Sequence, residues 1–173
     1  ANYEQRVPAL EALLARGSGD LAAFYAAAAQ IAGLPDGERA ARLDAARVDW
    51  REGTTIPFLG EPVILVLDPR TTGAVLHTDA EALPGVPRLT LHLGLPQTAE
   101  PEQIRDAVQS WLQRQARALF EERCRHFAPR LGVTVKRLSL SSATTRWGSA
   151  SSSGAIRLNW RLIHHALPTI DYV

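Results

Sequence analysis

A single long amphipathic helix constrains the fold more than any other feature of this sequence. Residues 102–127 contain no proline or glycine, and Pro101 fits the first turn of a helix that spans about residues 100–127. One helix face is traced by Ile104, Val108, Trp111, Leu112, Gln115, Leu119 and Phe120. Pro129 cannot continue the helix, so the segment ends near it. An apolar face of this length must pack against other parts of the protein.

Short segments with strand character precede this helix. Residues 54–58 and 62–68 are rich in β-branched and apolar side chains, and 63–67 read as a central strand or one buried on both faces. Residues 74–77 predict a short return strand. Residues 88–93 alternate, with leucines on one face. Together these segments predict an antiparallel meander.

The pattern after the long helix is more broken. Residues 133–141 and 155–158 predict two further strands. Asn159 is placed to cap a short helix that runs through Ile163. Pro168 is well placed in the first turn of another helix.

The N-terminal segment differs from the rest. Residues 1–52 have leucines and alanines at helical spacing, interrupted at 17–19 and 33–37 by glycine-containing turns. We therefore predict an α+β protein with two parts. Residues 1–52 form a helical N-terminal segment, and residues 53–173 form an antiparallel or mixed β-sheet packed on one long helix.

Composition excludes several classes. The formal net charge is +1, which argues against a nucleic-acid partner. Cys124 is the only cysteine, so neither an intrachain disulfide nor a cysteine-based zinc cluster is possible. The longest apolar stretch, residues 21–29, is too short to span a bilayer, and the N-terminus does not resemble a signal peptide. We therefore expect a cytoplasmic protein without a membrane partner.

The C-terminal quarter carries the most specific pattern. Arg146-Trp147-Gly148-Ser149 is followed by residues 156–163, which read IRLNWRLI, and then by residues 170–173, which read IDYV. This order resembles the YgjP-like bacterial metal-dependent hydrolases, a gluzincin-type metallopeptidase-like family. In that family a tyrosine-valine pair like Tyr172-Val173 leads within a few residues into His-Glu-x-x-His. Ala150 departs from the pattern, because cysteine usually follows the glycine-serine pair. The resemblance covers roughly residues 50–173.

This resemblance implies an incomplete zincin-like domain and a zinc-dependent hydrolase, with a peptide or protein as substrate. Two histidines one helical turn apart would bind zinc, and the glutamate between them would act as general base on the bound water. The 173 residues contain no His-Glu-x-x-His. We therefore expect the catalytic residues and zinc ligands just after Val173, and neither bound metal nor activity in this chain alone. Three alternatives remain: a hydrolase of nucleotide phosphoanhydrides on the same scaffold, a non-catalytic peptide-binding module, and a nucleic-acid-associated module. The near-neutral charge and the absence of a basic-aromatic stripe in the sequence argue against the third.

Several residues of the matching stretch are candidates for shaping the site or binding substrate. They are Arg146, Trp147, Gly148, Ser149, Ile156, Leu158, Asn159 and Arg161. Each also has a structural interpretation. Trp147 would fill the core, Gly148 would make a turn, Arg146 would pair with an acid, and Ser149 would be a turn hydroxyl. Residues 155–158 are our candidate for a strand at the rim of the site that pairs with an extended peptide.

The histidines are weaker candidates for local metal ligands. His164 and His165 are adjacent and therefore point to different faces of a helix. Glu122 and His126 are one turn apart, which favours a surface pair over a metal site. The strand pattern predicts that His77 and His92 lie on neighbouring strands, but no third ligand is evident.

The long helix yields one further prediction. If the segment that covers it in the family is missing, residues 1–173 should leave its apolar face exposed as a groove or as a surface for self-association.

Overall fold

The computed structural model describes Pro35, Glu38 and residues 48–79, 88–143 and 146–173. In chain order the elements are β1 (Thr55–Phe58), β2 (Glu61–Leu67), β3 (Ala74–Thr78), β4 (Leu89–Leu93), α1 (Pro101–Phe127), β5 (Arg137–Ser141), β6 (Gly148–Ala150), β7 (Ala155–Asn159), a 3-10 helix (Trp160–His164), called the short helix below, and α2 (Leu167–Tyr172). The helical segment predicted for residues 1–52 lies mostly outside the described residues. Glu38 is helical, whereas residues 48–52 are not, so the helix predicted to run from about residue 38 to 50 does not reach its predicted end.

The α+β class and the long helix are confirmed. At the start of helix α1 the Gln103 side chain accepts from the backbone N–H of Glu100 at 2.9 Å, and the Gln103 N–H donates to the backbone carbonyl of Glu100. The capping residues and Pro101 satisfy or remove N–H groups that a helix start would otherwise leave unpaired. The element therefore starts where its sequence predicts.

The first sheet contains four strands in the order β1-β2-β4-β3. β2 pairs with β4 in parallel, while β1–β2 and β3–β4 are antiparallel. The predicted central position of β2 is confirmed, but the antiparallel meander is wrong. The burial of the strands gives the reason: Leu91 and Leu93 of β4 are buried, whereas Val75 and His77 of β3 are exposed. The more apolar strand takes the inner position and β3 takes the edge.

A tight hairpin joins β1 to β2. Leu59 and Gly60 both have positive φ, 53° and 85°, and Phe58 lies opposite Glu61. Two central residues with positive φ are typical of the hairpin turns whose twist matches that of the flanking strands. Leucine is strained in this conformation, and this strained turn lies against the C-terminal part of the chain, as described below.

The second sheet contains three strands in the order β5-β7-β6. β7 pairs with β5 in parallel and with β6 antiparallel. Strand β6 is missing from the predictions, and β5 begins at Arg137 rather than at residue 133. The three residues of β6 are too few for a clear alternating pattern, which explains why the sequence did not predict them.

Helix α1 packs its apolar face into the core, so the predicted exposed groove is wrong. Five of the seven residues that trace the face are at most 3% exposed, and Gln115 and Leu119 are half-buried. The short helix, β3, β4 and β5 contact α1. The surface proposed for self-association is therefore already occupied. Among the described helices, none is both long and apolar enough to cross a membrane.

Candidate functional site

Most of residues 146–173, the stretch that carries the family resemblance, lie close together in a region that we call the junction. It is formed by β6, β7, the short helix and α2, with Trp147, Gly148, Leu158, Asn159 and His165 at its centre. These elements are consecutive in the chain apart from short loops.

Asn159 holds the junction together through three polar groups. Its Oδ1 accepts from the backbone N–H of Arg161 at 3.0 Å, and its Nδ2 donates to the carbonyl of Ala143 at 2.7 Å. Its own backbone N–H donates to the carbonyl of Trp147 at 2.8 Å. The predicted helix cap is confirmed. Because Asn159 is only 4% exposed, its amide also fixes the segment before β6, and a residue without these groups would leave buried partners unpaired.

Gly148 lies in β6 opposite Leu158, so its predicted turn is wrong. A Cβ at this position would lie 2.9 Å from Leu158 Cδ2 and 3.3 Å from Val173 Cγ1. The glycine therefore allows β6, β7 and the end of α2 to approach closely. Sequence alone does not distinguish this use of glycine from a turn.

The aromatic side chains at the junction pack in the core. Trp147 is half-buried against the core, and its ring meets that of His165 edge-on, with centroids 5.4 Å apart. This confirms the structural interpretation of Trp147. The guanidinium of Arg161 lies 4.7 Å from the centroid of the Trp160 ring, and burial lowers the pKa of Arg161.

Other predicted site residues lie toward solvent. Arg146 is exposed, and no acidic residue in the described ranges pairs with it, contrary to its structural interpretation. Ser149 is an exposed strand residue opposite Arg157, so it is not a turn hydroxyl. Ile156 is half-buried on β7. Their roles in substrate binding remain predictions.

The proposed rim strand cannot accept a peptide by strand addition. β7 is the central strand of its sheet, paired with β5 from Ala155 to Asn159 and with β6 from Ile156 to Leu158. The backbone N–H and C=O groups on both sides of β7 are therefore already paired with neighbouring strands. The edges of this sheet are β5 and β6, because β6 occupies the side of β7 that was expected to be open.

His164 connects the short helix to the β1–β2 hairpin. Its Nδ1 lies 2.7 Å from the carbonyl oxygen of Pro57. A carbonyl only accepts, so Nδ1 carries the proton in this contact. Burial lowers the pKa of His164 to about 4. Next to this contact, Leu59 N–H donates to the Ile163 carbonyl at 2.8 Å and Gly60 N–H to the His164 carbonyl at 3.2 Å.

Arg123 connects α1 to α2. Its Nε and a terminal nitrogen donate to the two carboxylate oxygens of Asp171, both at 2.7 Å. The side chains are 20% and 22% exposed, and the hydrogen bonds to Asp171 raise the pKa of Arg123. The bidentate geometry fixes the rotation of α2 about its axis as well as its distance from α1. The buried Ile170 adds an apolar contact.

Sequence reasoning missed the roles of His164, Arg123 and Asp171. For His164 the sequence raised only the possibility of a metal ligand, and its position next to His165 argued against that role. For Asp171 the sequence did contain an indication: it is the sole acidic residue after Glu122, so it is the only carboxylate in that part of the sequence with which a nearby cation could pair. The pairing with Arg123 spans 48 residues and could not be read from spacing.

The described residues do not fit a metal centre. Among residues 48–79, 88–143 and 146–173, no group of three or more histidine, cysteine, aspartate or glutamate side chains could hold a metal ion. At the junction, His164 contacts the Pro57 carbonyl through Nδ1 and the ring of His165 packs on Trp147, and neither histidine belongs to such a group. No step of a metal-assisted reaction can therefore be assigned to these side chains.

The other histidine pairs also have structural explanations. The rings of His77 and His92 are 4.4 Å apart on neighbouring strands, as predicted, and His92 Nδ1 lies 3.9 Å from a carboxylate oxygen of Asp68. The ring of His126 packs edge-on against Phe127 rather than pairing with Glu122. The predicted i,i+4 surface pair is therefore not formed.

Comparison with known proteins identifies the family. The family model of the YgjP-like, metallopeptidase domain matches residues 37–173, which is most of the chain. Searches of curated proteins and of solved structures found no match. The matched range includes the Arg146-Trp147-Gly148-Ser149 motif, the whole junction and both sheets. The chain therefore belongs to the YgjP-like family of metallopeptidase-like proteins.

Proposed function

We propose that the protein is a zinc-dependent hydrolase that cleaves peptide bonds, and that its zinc ligands are supplied by residues outside these 173. Family membership supports a metal-dependent hydrolase. The choice of zinc and of a peptide substrate rests on the resemblance of residues 146–173 to the segment that leads into the family's His-Glu-x-x-His helix.

One structural observation carries the proposal: α2 is fixed in place by three separate sets of contacts. The Arg123–Asp171 ion pair fixes its rotation relative to α1. The β1–β2 hairpin packs against the N-terminal end of α2, because a Cβ on Gly60 would lie 3.1 Å from the Cβ of the capping residue Ala166. At its end Val173 reaches the Cβ position of Gly148.

This arrangement suits a segment that leads into catalytic side chains. Side chains that bind a reactive group must be held to within about 0.5 Å by their surroundings. In this interpretation Asn159, His164 and Arg123 are positioning residues, because they act through the placement of α2 and do not touch substrate. Arg146 and Ser149, both exposed next to the junction, are available to contact a substrate.

The experiment compares the protein from the complete reading frame with the 173-residue chain. Metal content is measured by mass spectrometry, and hydrolysis is measured on a peptide library and on nucleoside triphosphates. We expect about one zinc per chain in the longer form, loss of peptide cleavage after chelation, and recovery with zinc. The 173-residue chain should show neither zinc nor cleavage.

Other outcomes would reject the proposal in distinct ways. Hydrolysis of nucleotides without peptide cleavage would favour the phosphoanhydride alternative. Peptide binding without turnover in the zinc-loaded long form would favour the non-catalytic module. A longer form that binds no metal would remove the enzymatic assignment.

A further inference from the structure

Charge is strongly segregated along this chain. Residues 123–170 contain eight arginine and lysine residues and no aspartate or glutamate, while all other residues together have a net charge of −7. The overall charge of +1, which argued against a nucleic-acid partner, averages over these two parts. The basic part includes the whole second sheet.

Most of these cations are exposed and lack carboxylate partners. The exposed ones are Arg125, Arg130, Lys136, Arg137, Arg146 and Arg157, and within the described ranges none of them forms an ion pair. Of the six described cations elsewhere, Arg51, Arg70, Arg105 and Arg117 each lie within 4 Å of a carboxylate, whereas Arg88 and Arg114 do not. The unpaired positive charge is therefore concentrated around one sheet.

The sheet directs two of these arginines to its outer face. Leu138, Leu140 and Leu158 pack against the core, so strand alternation puts Arg137 and Arg157 on the opposite side. Strands about 4.8 Å apart with a rise of about 3.3 Å per residue separate their Cα atoms by about 8 Å. The two guanidinium groups can therefore contact different anionic groups.

The neighbours of Arg157 are small and polar. Ser149 on β6 flanks it with an exposed hydroxyl, and Ala155 flanks Arg137. Ser139 on β5 also flanks Arg157, but its hydroxyl donates to the Ile156 carbonyl at 3.5 Å. Hydroxyl groups of this kind donate hydrogen bonds to phosphate oxygens, and small side chains allow a backbone to approach a flat sheet.

A cleft extends the basic face toward the end of α1. It has a volume of about 530 Å³, with Arg125, Lys136 and Arg137 in its wall and Ala128, Pro129 and Leu138 among its apolar lining. Glu121 is the one acidic residue among its lining residues. The positively charged surface therefore extends from the sheet into the cleft and is larger than a binding site for a single carboxylate.

We propose that the outer face of the second sheet, with its adjoining cleft, binds the phosphodiester backbone of nucleic acid. The phosphate groups of a nucleic-acid backbone repeat at regular intervals, so they can contact several separated cations and a neighbouring hydroxyl group at once. A single acidic side chain cannot do so. The ring of Trp147, the residue that directly precedes β6, packs on His165, so contacts to phosphates rather than base stacking would supply the affinity. Binding should therefore be independent of base sequence and sensitive to salt.

Fluorescence anisotropy with a labelled DNA duplex of about 20 base pairs tests the proposal at salt concentrations from about 50 to 200 mM. The double variant R137E/R157E should weaken binding by about tenfold or more and reduce the slope of log K against log salt by about 2. R137Q/R157Q should act in the same direction with a smaller effect, and circular dichroism checks that both variants fold. The matched control R114E/R117E makes the same charge change on exposed residues of α1 and should bind within about twofold of the original protein.

Three results would overturn the proposal. They are no binding to duplex DNA or to an RNA duplex of the same sequence at low salt, an equal loss of binding in the sheet and control variants, and tighter binding to a polyglutamate peptide of equal charge than to either duplex. The last result would indicate an acidic protein partner instead. The assay measures binding alone, so its outcome does not depend on whether the protein hydrolyses peptides.

Discussion

At Gly148 the absence of a side chain allows three elements to meet. A Cβ added at this position would come closest to atoms of Leu158 and Val173, and both are ends of side chains that can move by a few tenths of an ångström. Overpacking at such a site is costly but does not prevent folding.

We predict that Gly148→Ala lowers the free energy of unfolding by about 1–2 kcal/mol, measured by urea denaturation. Ser149→Ala next to it should change it by less than about 0.5 kcal/mol, because Ser149 is exposed. Adding Leu158→Val should recover part of the loss, since it removes bulk at the point of contact. Equal costs at Gly148 and Ser149 would contradict the close-approach explanation.

His164 makes stability depend on pH in a defined direction. Its pKa is about 4 in the folded protein and 6.5 when unperturbed, so the unfolded chain binds more protons between these values. Stability is therefore complete above pH 6.5 and is lost as the pH falls toward 4, by at most about 3 kcal/mol.

Replacing His164 with asparagine tests this assignment. The asparagine Nδ2 can still donate to the Pro57 carbonyl but does not titrate. We expect His164→Asn to be less stable than the original protein at pH 7 and to lose less stability between pH 6.5 and 4. The other histidines are common to both proteins and cancel in the comparison. Parallel pH profiles would exclude His164 as the titrating group.

Among the elements, α2 depends on contacts from distant parts of the chain. It has only six residues and would not be stable alone. Its position is therefore set by the Arg123–Asp171 pair and by Ile170, rather than by its own helix propensity.

A double-mutant cycle measures the contribution of this pair. The variants Arg123→Ala, Asp171→Ala and their combination should give a coupling energy of about 1–2 kcal/mol, because the pair is bidentate and mostly shielded from water. The same cycle on Arg117 and Glu121, which are 3.9 Å apart and about half exposed, should give at most about 0.5 kcal/mol. Hydrogen exchange in α2 should rise only in the first set. Equal coupling energies would show that Asp171 does not anchor α2.

The sequence predicted elements better than their arrangement. The span of α1, the central position of β2 and the cap at Asn159 follow from local signals such as spacing, β-branched content and side-chain polarity. The order of β3 and β4, the edge position of β6 and the partner of Asp171 depend on which surfaces are buried against each other. For the site, Trp147 and Asn159 were correctly assigned structural roles, whereas Gly148 and Ser149 were not, because neither residue type distinguishes a turn from a strand in close contact.

For the whole molecule, one core connects both sheets. The buried cluster includes Leu65 and Leu91 of the first sheet, Trp111 and Phe120 of α1 and Leu162 of the short helix, and Leu138 and Leu158 of the second sheet pack against it. A contiguous core of this kind leaves no plane along which the sheets could separate without exposing apolar surface.

We therefore predict a single cooperative unfolding transition for the residues described. One variant keeps only Trp111, which contacts Phe58 of the first sheet, and another keeps only Trp147, next to the second sheet. Within each variant the urea midpoint by fluorescence should equal the midpoint by far-UV circular dichroism, although the two variants will differ in stability. Different midpoints from the two probes within one variant would show that the sheets unfold independently.

The contact between His164 and Pro57 also has a consequence for synthesis on the ribosome. The two residues are 107 positions apart, so at about 5–20 residues per second the hairpin waits roughly 5–20 s for its partner to be translated. During that interval the N–H groups of Leu59 and Gly60 lack their eventual acceptors, and the strained leucine is not held by the short helix. A nascent chain stalled before residue 164 should therefore be cut by protease near this hairpin more readily than one stalled after it.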